Sequence, residues 1–208
     1  MLELKKHMLH GVMDYIQLMS CLRDYEAPHR KINLLLKSGT LVRVKKGLYV
    51  LGENYRDEPI CLELLANLIY GPSYISQEYA LQYHGLIPER VVTVTSMTCK
   101  RNKHFITPLG SFRYTYLNLR RFRVGVDWLP FRPNIRLLIA SPEKALVDTL
   151  MQHRDIKTIH DMSTHLIENM RIDINRLQKF DLNRLEKICK AYRHPVINLF
   201  FNLLKRGL

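Results

Sequence analysis

Asp127, Glu143 and Lys144 are the residues whose types come nearest to a reaction centre. Two carboxylates and a lysine can hold a divalent cation against a scissile phosphate, as acid–acid–lysine nucleases do. The spacing argues against it: such sites place one residue between the last acid and the lysine, and here the two are adjacent. His160 and His165 are five positions apart, so a straight helix points them in different directions. There is no glycine-rich phosphate loop, no GxSxG and no HExxH. Cys21, Cys61, Cys99 and Cys189 are far apart and form no CxxC pair. Three of them lie in apolar, helix-like runs, where a thiol acts as a small hydrophobe, so all four are expected to be reduced and structural. The expectation is a protein that is not an enzyme, with no catalytic residue, no metal and no cofactor.

Recognition chemistry is better represented. Arg30 and Asn33 are the residue types that make bidentate contacts with guanine and adenine edges, and Lys45 and Lys46 beside Gly47 suit phosphates or a minor groove. The surrounding sequence says how they are held. Asp14-Tyr15-Ile16-Gln17 has the form of a capping box and opens a helix through Leu18, Met19 and Leu22. Pro28 fits the first turn of a second helix that ends near Ser38-Gly39. At about 100° per residue, Ile32, Leu35 and Leu36 face inward and His29, Arg30, Asn33 and Lys37 face outward, with Lys31 and Leu34 at the flanks. Leu41 to Leu51 holds two β-prone runs around Lys45-Lys46-Gly47, a hairpin with glycine at the strained turn position. Helix, turn, polar-faced helix and basic hairpin in this order predict a winged helix-turn-helix over residues 1–52, whose second helix reads the major groove. The DNA contacts expected are His29, Arg30, Lys31, Asn33, Lys37, Arg43, Lys45 and Lys46. The competing reading is a winged-helix scaffold that binds a protein and leaves its basic face wet; salt-dependent DNA binding separates the two.

The charge pattern favours a polyanionic partner. The 208-residue chain carries a formal +13 with 47% hydrophobic residues, enough for a core. Residues 1–51 hold 9 Lys and Arg against 4 Asp and Glu, residues 52–98 hold 2 against 6, and residues 99–136 hold 9 against 1. No apolar run approaches the ~20 residues of a membrane span, and MLELKKHMLHG lacks the features of a signal peptide, so a cytoplasmic location is expected.

After a polar stretch at residues 52–59, read as a hinge, Ile60 to Tyr70 predicts a buried helix, and Ser76 an N-cap for a helix from Gln77 to His84 that Gly85 stops. Val91 to Ile139 reads as β, with strands at 91–95, 112–116 and 135–139. It holds Lys100, Arg101, Lys103, Arg113, Arg120, Arg121, Arg123, Arg132 and Arg136 with aromatics interleaved. The first seven are candidates for a second face, for nucleic acid or related to a toxin; the aromatics suit either stacking on single strands or the core. Beyond Asp155 the pattern is helical, at 156–170, 183–192 and 195–205, the last too apolar to lie free of the domain or of a second subunit. The fold class expected is α+β: the winged helix-turn-helix, then a larger mixed α/β domain with a helical C-terminal part over residues 59–208.

Several strings taken together resemble one family. They are Lys46-Gly47-Leu48-Tyr49-Val50; Tyr74-Ile75-Ser76 with Ala80-Leu81; His84-Gly85-Leu86-Ile87-Pro88-Glu89; and Ala140-Ser141-Pro142-Glu143-Lys144-Ala145-Leu146-Val147-Asp148. In that order, over about residues 12–150, the chain resembles the AbiEi family, antitoxins and transcriptional regulators of abortive-infection, type IV toxin–antitoxin systems. The resemblance implies a winged-helix domain that represses its own operon at operator DNA, inverted repeats of its own promoter. It also implies a C-terminal domain that counters a nucleotidyltransferase-like toxin encoded next door, without implying a stable complex. After residue 150 no family motif is present. A stand-alone regulator of the same fold, with no toxin partner, is the alternative, and the downstream open reading frame discriminates them. A nuclease built on the basic middle segment is a third reading, open to a magnesium-dependent cleavage assay.

Overall fold

Helix α1 (Leu2–His7) and strand β1 (Val12–Asp14) precede α2 (Tyr15–Cys21), α3 (Pro28–Lys37), β2 (Leu41–Lys45) and β3 (Leu48–Leu51). The computed structural model describes residues 2–8, 10–133, 135–153 and 155–207, and the chain is α+β. Its contacts divide it into two compact units, Met1–Leu65 with Ile106–Gly110, and Ala66–Phe105 with Ser111–Leu208.

In the first unit the capping box forms: Gln17 N donates to Asp14 Oδ1 (2.8 Å) and Asp14 N to Gln17 Oε1 (3.0 Å). Pro28 takes the first turn of α3. Gly47, at φ +86°, makes the tight turn between β2 and β3, a conformation that costs glycine little and other residues a clash at Cβ. Gly52 is constrained differently: its φ is ordinary, but a Cβ there would drive into the carbonyl oxygen of Gly39. The antiparallel sheet runs β1-β3-β2, with Val12 and Val42 both opposite Val50. Strand β1 is not anticipated by the sequence, because three residues cannot display a period of two. The core comprises Leu4, Met8, Met13, Leu18, Leu22, Ile32, Leu35, Leu41, Tyr49 and Leu51, with Leu36 partly buried against it. Each such side chain contributes about 1.5–3 kcal/mol through burial. Lys5 Nζ meets Asp57 Oδ1 at 2.6 Å, tying the segment after β3 back to α1.

The second unit is built on a six-stranded sheet. Helix α4 (Leu62–Ile69), which begins before the division at residue 65, leads to β4 (Ser73–Ile75), α5 (Gln77–Tyr83), β5 (Val94–Thr98), β6 (Lys103–Thr107), β7 (Gly110–Tyr116) and α6 (Leu119–Phe122). Then come β8 (Val126–Arg132), β9 (Ile135–Ala140), α7 (Pro142–Leu150) and α8 (Ile159–Thr164), which runs on as a π-helical turn over His165–Asn169. Helices α9 (Ile174–Leu177), α10 (Leu182–Tyr192) and α11 (Pro195–Lys205) follow. The strand order is β6-β7-β5-β4-β9-β8, with β4–β9 and β5–β7 parallel. The strand expected at 91–95 lies at Val94–Thr98 instead, because the Gln82 side chain takes Val91 N and Val92 is left 76% exposed. Every residue of α7 from Glu143 to Leu150 is buried. Val196, Ile197, Phe200 and Leu203 of α11 pack inward, against α8, α10 and α7. Among the described residues no helix is long and apolar enough to cross a membrane.

Candidate nucleic-acid interface

Tyr15 is the junction of the basic surface on the first unit. Its backbone N–H donates to Gly47 O (3.0 Å), which fixes the turn of the hairpin against the first residue of α2. Its ring stacks on His29 at 6.3 Å between centroids, 18° from parallel, with the phenol oxygen 3.5 Å from His29 Nδ1. One residue therefore touches both the hairpin turn and the first turn of α3. Along α3, His29, Arg30, Asn33 and Lys37 are exposed, as is Leu34, while Ile32 and Leu35 are buried. Lys31 is half-buried, its ammonium 5.1 Å above the Tyr25 ring. On the hairpin Arg43 is exposed with its guanidinium over Tyr49 at 5.8 Å, Lys45 is half-buried and Lys46 exposed. Ala27, at the N-cap of α3, provides no side-chain acceptor for the first N–H groups of the helix. In the sequence Tyr15 is only the second residue of a capping box; no local pattern marks a residue whose partners lie 14 and 32 positions away.

The basic residues of the second unit do not share one role. Lys100 and Arg101 are exposed on the turn after β5, and Lys103 and Arg113 are exposed on β6 and β7. Arg120 and Arg121 are engaged by the end of α10: Arg120 donates to Lys190 O (3.1 Å) and Arg121 to Tyr192 O (2.7 Å), with the Arg121 guanidinium 5.3 Å over the Tyr192 ring. Arg123 is exposed, and Arg136 lies over Trp128 at 5.3 Å. Of the interleaved aromatics, Phe112 and Tyr114 are core and Tyr116 is 55% exposed.

Asp127, Glu143 and Lys144 each have partners within the protein. Asp127 receives both arms of Arg184 (3.0 and 2.6 Å). Glu143 accepts from Ser141 Oγ (2.7 Å) and Asp181 N (3.0 Å). Lys144 Nζ donates to Arg121 O (2.8 Å) and to the Tyr192 hydroxyl, and lies 3.3 Å from Asp148 Oδ1, with both side chains fully buried. Ser76 occupies the N-cap position of α5 but caps nothing there; its hydroxyl is donated to Asp148 Oδ2 (2.6 Å). The cysteines are all free thiols. Burial pushes Cys61 and Cys189 up to about 11, which keeps them protonated and poor nucleophiles near neutrality.

Burial also raises the phenols of Tyr74, Tyr114 and Tyr192, and Asp148 adds to the effect at Tyr74 and Tyr192. In the unfolded chain they lose protons near pH ~10, while the folded chain keeps them. The folded state then binds more protons, so stability falls as pH rises above that point. We expect an alkaline titration followed by tyrosinate absorbance to leave these three of the 11 tyrosines silent until the chain unfolds, in one cooperative step with loss of helix. Smooth ionisation of all eleven before unfolding would contradict the buried network.

No family model matches the chain, and no curated protein matches it. Among solved structures it is similar to the RV2827C protein from Mycobacterium tuberculosis, at 15% identity and a TM-score of 0.47, over 95% of this chain and 77% of that one.

Proposed function

We propose that the first unit is a winged helix-turn-helix and that the protein is a sequence-specific DNA-binding autorepressor, with α3 in the major groove and the β2–β3 hairpin as wing. The observation that carries the reading is Tyr15, which holds the wing turn through Gly47 O and the start of α3 through His29. With both anchored to one residue, the outward stripe of α3 and the basic wing are presented as one preorganised surface. Preorganisation matters because ordering a loop on binding would consume part of the affinity. The strand β1 paired with β3 supports the same assignment, since it gives the wing a sheet to stand on.

From the resemblance in sequence, the second unit counters a nucleotidyltransferase-like toxin encoded beside it, the protein acts as a cytoplasmic antitoxin, and it catalyses no reaction itself. The second unit has the larger core for that task, and its carboxylates Asp127, Glu143 and Asp148 are committed to protein partners.

The wing provides the test. Lys45→Ala with Lys46→Ala should weaken binding to the promoter and to unrelated duplex alike, and flatten the slope of log affinity against log salt by up to about two units. Mobility shift or anisotropy over a range of salt reads both quantities. A slope equal to that of the parent chain would place the wing away from phosphate and remove the winged-helix reading.

A further inference from the structure

Strands β5 and β7 run parallel, and at their carboxyl ends the chain diverges. After Thr98 it turns back through residues 99–102 to β6, while after Tyr116, which lies opposite Thr98, it continues into α6. The two exits diverge beyond the carboxyl ends of these strands and leave a crevice between them. Here it is an open groove of about 780 Å³ lined by Tyr70, Cys99, Lys100, Arg101, Asn102 and Tyr116. Its walls are braced by hydrogen bonds. Leu117 N donates to Thr98 O (2.8 Å), Tyr116 N to Asn102 Oδ1 (2.7 Å) and Thr98 Oγ1 to Pro72 O (2.9 Å).

The lining contains two cations and no carboxylate, which selects for an anion. Lys100 Nζ sits 5.2 Å above the Tyr70 ring. Tyr116 is the informative residue. It follows Phe112 and Tyr114 at the spacing of one sheet face, and those two are buried, yet Tyr116 keeps 55% of its surface in solvent. A flat aromatic surface held beside exposed ammonium and guanidinium groups is the arrangement that stacks a base and neutralises its phosphate. Bases within a duplex already stack on one another and offer such a ring no face.

We infer that this groove binds single-stranded nucleic acid, with a base stacked on Tyr116 and the adjoining phosphates on Lys100 and Arg101. The inference is independent of the assignment of α3 and the wing.

The experiment uses the full chain carrying Arg30→Ala and Lys46→Ala, so that the basic face of the first unit contributes less, and a fluorescent oligothymidylate of about ten nucleotides, within the usual site size. Adding Tyr116→Ala should weaken binding by about 5- to 150-fold, and Tyr116→Phe should hold it within about two-fold, because stacking needs the ring and not the hydroxyl. Lys100→Ala with Arg101→Ala should reduce the salt slope by about 1.4 units, the value for two phosphates of a single strand. In the otherwise unaltered chain, retention of duplex promoter binding by Tyr116→Ala shows that the variant is folded; should the parent bind no duplex, unchanged circular dichroism and thermal melting serve instead. Three results would overturn the inference: no binding of the oligonucleotide at low salt, binding indifferent to Tyr116→Ala, or complete competition by thymidine monophosphate at micromolar concentration, which would make the ligand a free nucleotide.

Discussion

Replacing Asp148 with Asn is expected to lower the stability of the second unit by about 3–5 kcal/mol, the cost of leaving a buried charge without its partner. One carboxylate organises four groups. Its Oδ1 accepts from the Tyr192 hydroxyl and lies 3.3 Å from Lys144 Nζ, and its Oδ2 accepts from Tyr74 (2.9 Å) and Ser76 (2.6 Å). Tyr74, Ser76, Lys144 and Tyr192 are all 0% exposed and Asp148 is 1% exposed, so water cannot substitute. Burial lowers the Lys144 amine and Asp148 opposes that shift. Without Asp148 the amine falls further, and the unfolded chain binds a proton that the folded variant does not. Stability of the variant should therefore rise with pH between the lowered folded value and the unfolded value of ~10.4. Adding Lys144→Met removes the uncompensated charge, while the Asn oxygen still accepts from Tyr74 and Ser76 and its NH2 donates to the Tyr192 oxygen, and more than half of the loss should return. Urea unfolding across pH measures both effects. A single-variant loss below about 1 kcal/mol, the range of exposed pairs, would show that the pair is solvated rather than buried.

That network also marks how far the sequence can be read. Lys144 and Asp148 stand four apart, which on a helix makes a neighbouring pair, but the spacing alone gives no sign that α7 is buried from Glu143 to Leu150. Ser76 has the residue type and place of a cap, and its hydroxyl is drawn instead to a carboxylate 72 residues away. Local signals compete with tertiary ones only after the chain has folded. Where the partner is local, the cap forms: Asp181 accepts from Asn183 N (2.9 Å) and Arg184 N (3.1 Å) at the start of α10, and Ser141 accepts from Lys144 N (3.3 Å) at the start of α7.

Charge patterning has a similar limit. The block from Lys100 to Arg123 stands out in sequence, yet Arg120 and Arg121 are spent on carbonyls at the end of α10, while Lys100 and Arg101 reach a groove. A carbonyl at a helix end and a phosphate attract the same guanidinium, so composition cannot separate the two uses. On α3 the periodicity is more telling, because Ile32 and Leu35 must face the core and their burial turns Arg30 and Asn33 outward.

Arg30→Ala and Asn33→Ala should each weaken binding to the protein's own promoter by about 1–3 kcal/mol, roughly 5- to 150-fold, if these side chains make bidentate contacts with base edges. Unrelated duplex should lose far less, since base readers add little to binding that is mostly phosphate. Both residues are exposed on the stripe that Tyr15 anchors through His29, and neither contributes to the core of the first unit, so loss of affinity cannot be ascribed to unfolding. In cells the double variant should release a reporter placed behind the promoter. Under the proposal that the second unit counters the toxin, the same full-length variant, expressed from a separate promoter, should still protect growth against the neighbouring gene. Equal losses on promoter and random duplex would show that Arg30 and Asn33 bind phosphate and that specificity lies elsewhere. Loss of protection together with repression would mean that the chain acts on the toxin only through DNA.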